Sequence, residues 1–235
     1  MLSTVTPFTI SNGYYEAGSY SQGKVVDSIG GGVCQVSSTL YNAVLRAELE
    51  VVKRNNHSMI VTYVPISGDA MISEGGGSDF KFKNNTDAPV YVEAYTAGKT
   101  VTFNIYGHET RPSSRTIKFE NKILQKIQPG SDVITKDNTQ PTSYRKVTQS
   151  AHIGYKAEYY KIVYENGVET QRIKVNSSYY KAAPNYITVG TKEEVQATPA
   201  PAQTQGAEVP AAGVSATPGA VASQVQPIVP PVTTP

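Results

Sequence analysis

Apolar residues recur at helical spacing most clearly in one stretch: Val36, Leu40, Ala43, Val44 and Ala47 lie three or four positions apart, with Arg46, Glu48 and Glu50 giving a polar side and end. This predicts one principal helix opening near Cys34. The patterns around it are short and β-like. Val51-Val52 reads as strand, Lys53-Arg54-Asn55-Asn56 as a turn, and His57-Ser58-Met59-Ile60-Val61-Thr62-Tyr63-Val64 as a β-branched strand stopped by Pro65 and Gly68. Phe80-Lys81-Phe82-Lys83 alternates with period two, and Asn84-Asn85-Thr86-Asp87 turns the chain. Val90 to Ala94 and Thr100 to Tyr106 then form hairpin partners around Ala97-Gly98-Lys99.

From Thr116 to Thr191 no helical period stands out. Tyr159 to Tyr164 and Thr170 to Val175 flank Asn166-Gly167, a dipeptide that tolerates the positive φ angles of a tight hairpin. Beyond Lys192 the chain consists mainly of Ala, Pro, Thr, Gln and Val, a composition that cannot bury enough surface to offset ordering entropy. The expected organisation is an α+β, β-rich domain over 1–110, an all-β module over 111–191 and a disordered tail over 192–235.

Composition changes this picture little. Sixteen tyrosines with no tryptophan suit strands, and a net charge of +2 without a basic block gives no reason to expect nucleic acid as a partner. No apolar run is long enough to span a membrane, and Met1-Leu2-Ser3-Thr4-Val5 lacks the basic and apolar regions of a signal peptide.

The single cysteine changes it more, because it excludes an internal disulfide. An isolated cysteine often serves as a small buried hydrophobe. Here, however, it follows Gly30-Gly31-Gly32 and opens the helix, where backbone N–H groups and the helix dipole favour thiolate and the glycines leave room for a substrate carbonyl. A helix running away from Cys34 and a returning chain would bring His57 back to the thiol. His108 at the exit of the first region and His152 in the second are less well placed. Asp69 and Asp79 are candidates for orienting the imidazole, and each is equally a turn-forming aspartate near glycine. A structural zinc site would need more ligands than one cysteine supplies, so neither metal nor other cofactor is expected.

Gly-Gly-Gly-Val-Cys-Gln-Val-Ser-Ser-Thr-Leu-Tyr-Asn at 30–42, with His57-Ser58, Tyr63-Val64-Pro65, Gly68-Asp69-Ala70 and the stretch from Asp79 to Thr86, resembles the VanW family of Gram-positive cell-envelope proteins over residues 8 to 107. The pattern around Tyr159 to Val175 is similar to a G5 domain, a β-rich accessory module of surface proteins. The first resemblance implies an exported protein acting on peptidoglycan as a cysteine L,D-transpeptidase. Cys34 would be the nucleophile and His57 the base, with Asp69 as the third site residue. Gly31, Gly32, Gln35 and Ser37 are expected to contact substrate, and the N–H groups of Cys34 and Gln35 to form the oxyanion hole. Stem peptides and glycan strands are the expected partners. VanW domains usually begin upstream of the segment matching Phe8, so an N-terminally shortened copy is expected. The competing readings are a peptidase that hydrolyses stem peptides and a surface or glycan-binding protein whose cysteine is structural.

Overall fold

The helix predicted from Cys34 onward forms as α2, Val33–Arg46, and its apolar face contributes Leu40, Val44 and Leu45 to the buried hydrophobic cluster. The computed structural model describes residues 1–21 and 24–193. Ahead of α2 lie the short helix α1, Leu2–Val5, and the antiparallel hairpin of β1, Glu16–Ser21, and β2, Lys24–Ile29. After it, β3, Glu50–Lys53, pairs with β4, Lys81–Lys83, and β5, Tyr91–Ala97, pairs with β6, Thr100–Tyr106.

The second region is all β among the described residues. Its long strands β7, Arg115–Ile127, β10, Gly154–Glu165, and β11, Val168–Tyr180, form an antiparallel sheet in the order β11-β10-β7. A second sheet has the order β8-β12-β9, from β8, Val133–Pro141, β9, Arg145–Gln149, and β12, Tyr186–Lys192, with β12 parallel to β8. The Asn166-Gly167 turn has φ of 54° and 80° and joins β10 to β11 with Glu165 opposite Val168, the two-residue hairpin expected of this dipeptide. β12 runs through Lys192, the expected start of the tail, and residues 194–235 of that tail lie outside the described residues.

Two features differ from the sequence expectation. Residues 57–64 form no strand, because their backbone is held by isolated bonds instead of pairing in a ladder: the His57 N–H donates to the Asp69 carboxylate, and the Ser58 carbonyl accepts from the Lys181 N–H. The two regions also share a core. Leu40, Tyr41, Val44 and Leu45 of α2 cluster with Leu49, Ala70, Ile72 and Phe80, and Tyr159 of β10 is buried in the same cluster, with Phe119 and Val175 packed against it. Residues 1–194 accordingly group as one compact unit.

Candidate active site

Polar residues of α2 organise the site. Cys34, Ser37, Ser38, Tyr41 and Asn42 stand at helical intervals of three and four, so they occupy one face. The extended segment 68–72 runs along that face. The Asn42 Nδ2 donates to the Gly68 carbonyl at 2.7 Å and the Ser37 hydroxyl to the Ala70 carbonyl at 2.5 Å, while the Ala70 N–H donates to Ser38 Oγ at 3.0 Å. The Cys34 thiol reaches the Ile72 carbonyl at 3.3 Å. Alternate residues of this segment therefore meet the helix, and Asp69 between them is turned the other way.

Asp69 is 1% exposed and its carboxylate is saturated by donors. Oδ2 accepts from the His57 N–H and lies 2.7 Å from its ring Nδ1; Oδ1 accepts from Arg54 at 2.7 Å and from the Tyr180 hydroxyl at 2.5 Å. Burial works against the charge, but the hydrogen bond to His57, the Arg54 guanidinium and the Tyr180 hydroxyl hold the carboxyl below its ordinary range. An ionised Asp69 requires a proton on Nδ1, which leaves Nε2 for the thiol. Burial likewise lowers the basicity of His57, yet hydrogen bonds and charge from Asp69 and Cys34 overcome it and raise the pKa to about 9.

Cys34 and His57 line a cavity of about 520 Å³ with Phe8, Val61, Tyr63, Met71, Glu74, the β1–β2 hairpin and Gly30 to Gly32. The glycines divide the work. A Cβ on Gly31 would lie 2.2 Å from the Ala17 carbonyl oxygen, so this residue lets β1 back closely onto the helix start, whereas a Cβ on Gly32 would meet nothing within 4 Å. Gln35 also lines the cavity, but its N–H donates to the Gly32 carbonyl at 2.9 Å and is not available as an oxyanion-hole donor. Ser37 is fully buried and does not line the cavity. Three positions after Cys34, its hydroxyl points into the clamp on the Asp69 segment, which corrects its expected substrate contact.

Asp79, the alternative orienting group, instead accepts from the Leu2 and Phe80 N–H groups. His108 lines a separate cavity with the C-terminal end of α2, and His152 forms an isolated backbone bridge with Ala183. Arg54 and Tyr180 are site residues that the sequence reading missed. Arg54 lies in the expected turn, while Tyr180 ends a strand of the second region, and no local pattern links either to Cys34.

Residues 1–106 match the family described as VanW like protein, and residues 120–192 match the G5 domain. The chain joins a VanW-like domain to a G5 domain. Its relative YoaR, an uncharacterized protein of Bacillus subtilis (strain 168), is 41% identical over 101 residues, which make up 43% of this chain and 33% of YoaR. The chain thus spans about a third of the length of that relative. Two solved structures are similar to its G5 domain. An IgA1 protease G5 domain shares 23% identity over 33% of this chain and 93% of its own, with a TM-score of 0.23. HP0197-G5 shares 18% over 33% and 100%, with a TM-score of 0.18. The Cys34, His57 and Asp69 trio lies within the VanW-like domain, and Tyr180 within the G5 domain. No helix among the described residues is long and apolar enough to cross a membrane.

Proposed function

We propose that this chain is a cysteine L,D-transpeptidase of the cell envelope, acting on peptidoglycan stem peptides. The observation that carries the reading is the buried Asp69–His57 pair set against Cys34 in the wall of a cavity. Cys34 sulfur attacks the carbonyl carbon of the third residue of a donor stem. The tetrahedral intermediate collapses by breaking the bond to the terminal D-alanine, whose amine leaves with the proton held on His57, and a thioester remains on Cys34. A side-chain amine of a neighbouring stem then attacks the thioester and gives its proton to His57. Expulsion of the sulfur completes a 3-3 cross-link and restores the starting charges. Gly32 leaves open space beside the helix start, and the Cys34 N–H is the proposed oxyanion donor. The G5 domain supports a cell-surface setting through its resemblance to accessory modules of surface proteins.

The test is incubation with purified muropeptides, with intact-protein mass for the thioester and product mass for the cross-link. Wild-type protein gains the acyl mass and releases D-alanine, whereas Cys34→Ala does neither. His57→Ala slows acylation by about a hundredfold or more, the scale of acid–base assistance. His108→Ala and His152→Ala remain close to wild type. Hydrolysed tripeptide without a cross-link would replace transfer by a peptidase activity. A wild-type protein that neither acylates nor releases D-alanine would refute the enzymatic reading.

A further inference from the structure

The G5 domain reaches into the candidate active site. Tyr180 is the last residue of β11, 1% exposed, and its hydroxyl joins two points of the VanW-like domain: it donates to Asp69 Oδ1 at 2.5 Å and accepts from the Ser67 N–H at 2.8 Å. These contacts pin both sides of the turn that presents Asp69. Ser67 adopts φ of +69°, uncommon for a residue with a side chain, so this turn depends on its anchors. Arg54 binds the same carboxylate oxygen and, through its other terminal nitrogen, Ser178 of β11 at 2.9 Å.

We propose that Tyr180 is a positioning residue supplied by the G5 domain, which by fixing Asp69 orients His57 toward Cys34, so that the site is complete only with the second domain docked. The proposal rests on the cysteine–histidine reading above. With Oδ1 held by Tyr180 and Arg54, Oδ2 is left to meet both the N–H and the ring of His57. The charged and titratable groups at this locus are Cys34 and Tyr41 from α2, Arg54, His57 and Asp69 from the connecting segments, and Tyr180 from β11; Tyr41 lies under the Arg54 guanidinium at 5.7 Å. Removing the hydroxyl strips Asp69 of a donor and leaves the buried Ser67 N–H without its acceptor.

The experiment compares full-length wild type, Tyr180→Phe, Lys161→Ala and His57→Ala by the pH profile of iodoacetamide alkylation at Cys34 and by NMR titration of the His57 ring. Lys161→Ala is the control for docking alone, because Lys161 bonds Glu48 across the seam between the domains and touches neither Asp69 nor the Ser67 turn. Tyr180→Phe is expected to lower the His57 titration, move the acid limb of the alkylation profile to higher pH and slow alkylation at neutral pH about tenfold, the effect of one lost bond to a charged group. Lys161→Ala keeps the wild-type profile. Equal losses in both variants, or a Tyr180→Phe profile matching wild type, would overturn the proposal. A His57→Ala profile matching wild type would instead overturn the cysteine–histidine reading beneath it. Should Tyr180→Phe fail to fold, 3-fluorotyrosine at position 180 keeps the shape and makes the hydroxyl a stronger donor. An unchanged His57 titration in that protein would then count against the proposal.

Discussion

Replacing Asp69 with asparagine tests the electrostatic centre of this site while keeping its shape. The carboxylate is 1% exposed and accepts from His57, Arg54 and Tyr180, so an amide both removes the charge and turns an NH2 group toward one of those donors. His57 is raised from 6.5 to about 9 in the folded chain, after burial has worked in the opposite direction. A shift of this size corresponds to about 3 kcal/mol of linkage between folding and the His57 proton. Because the folded pKa lies above the unfolded one, this stabilisation is fully present below pH 6.5 and is lost as pH rises through 9. Between those values the unfolded chain has released a proton that the folded chain still holds.

Wild-type stability from urea unfolding is therefore expected to fall by about 3 kcal/mol across this window, from the His57 contribution. Asp69→Asn is expected to flatten the decline and lower stability near pH 6 by about 3–5 kcal/mol, because Arg54 is left buried without its anion. NMR titration of the His57 ring assigns the proton directly. A variant whose stability declines with pH as steeply as wild type, or whose His57 still titrates near 9, would show that Asp69 does not hold the imidazolium.

Two further substitutions probe other parts of the chain. Ser37→Ala removes a buried donor from the Ala70 carbonyl and should cost about 1–2 kcal/mol in urea unfolding while Cys34 keeps an alkylation rate within a few-fold of wild type; a large loss of reactivity without destabilisation would restore Ser37 as a substrate contact. Glu48 is bound by Arg115, Lys161 and Arg111, and although burial opposes its charge these bonds bring its pKa down to about 2. Its stabilisation is present above pH 4.5 and lost as pH falls through 2, so Glu48→Gln should cost about 2 kcal/mol at pH 6, with the gap to wild type narrowing below pH 4. A gap constant with pH would remove the ionic explanation.

Local pattern carried the sequence reading as far as local physics decides structure. The 3.6-residue period from Val36 to Ala47 gives α2, Asn166-Gly167 gives its hairpin, and a helix leaving Cys34 with a chain returning to it brings His57 back. The run 57–64 misled because β-branched residues favour extended backbone whether or not a partner strand is present. Here Met59 and Val61 are buried without a ladder. Ser37 misled because, although it shares a helix face with Cys34, the segment 68–72 covers that face one turn on and takes the Ser37 hydroxyl at the Ala70 carbonyl. Tyr180 had no readable signal: it stands 111 positions from the aspartate it contacts, and only the docking of β11 joins them.

Contacts of three kinds tie the G5 domain to the VanW-like domain, one apolar, one ionic and one hydrogen-bonded. Tyr159 buries its ring in the α2 cluster, Lys161 meets Glu48 just past the end of α2, and Tyr180 meets Asp69 near the His57 site. The apolar contact contributes burial energy without prescribing one rotation, since hydrophobic burial is non-directional. The ionic and hydrogen-bonded contacts supply direction, and because they hold two well-separated features of one domain they fix the angle at which β11 arrives. This explains how a domain joined by an ordinary connection can place a phenol within hydrogen-bond distance of a buried carboxylate. A G5 domain tethered only as a spacer would have no need of a tyrosine with its hydroxyl buried against the neighbouring domain's aspartate, where the phenol pKa is driven up to about 12 by burial and by that carboxylate. At neutral pH Tyr180 is therefore a fixed donor. That is the state required to keep Asp69 ionised and turned toward His57.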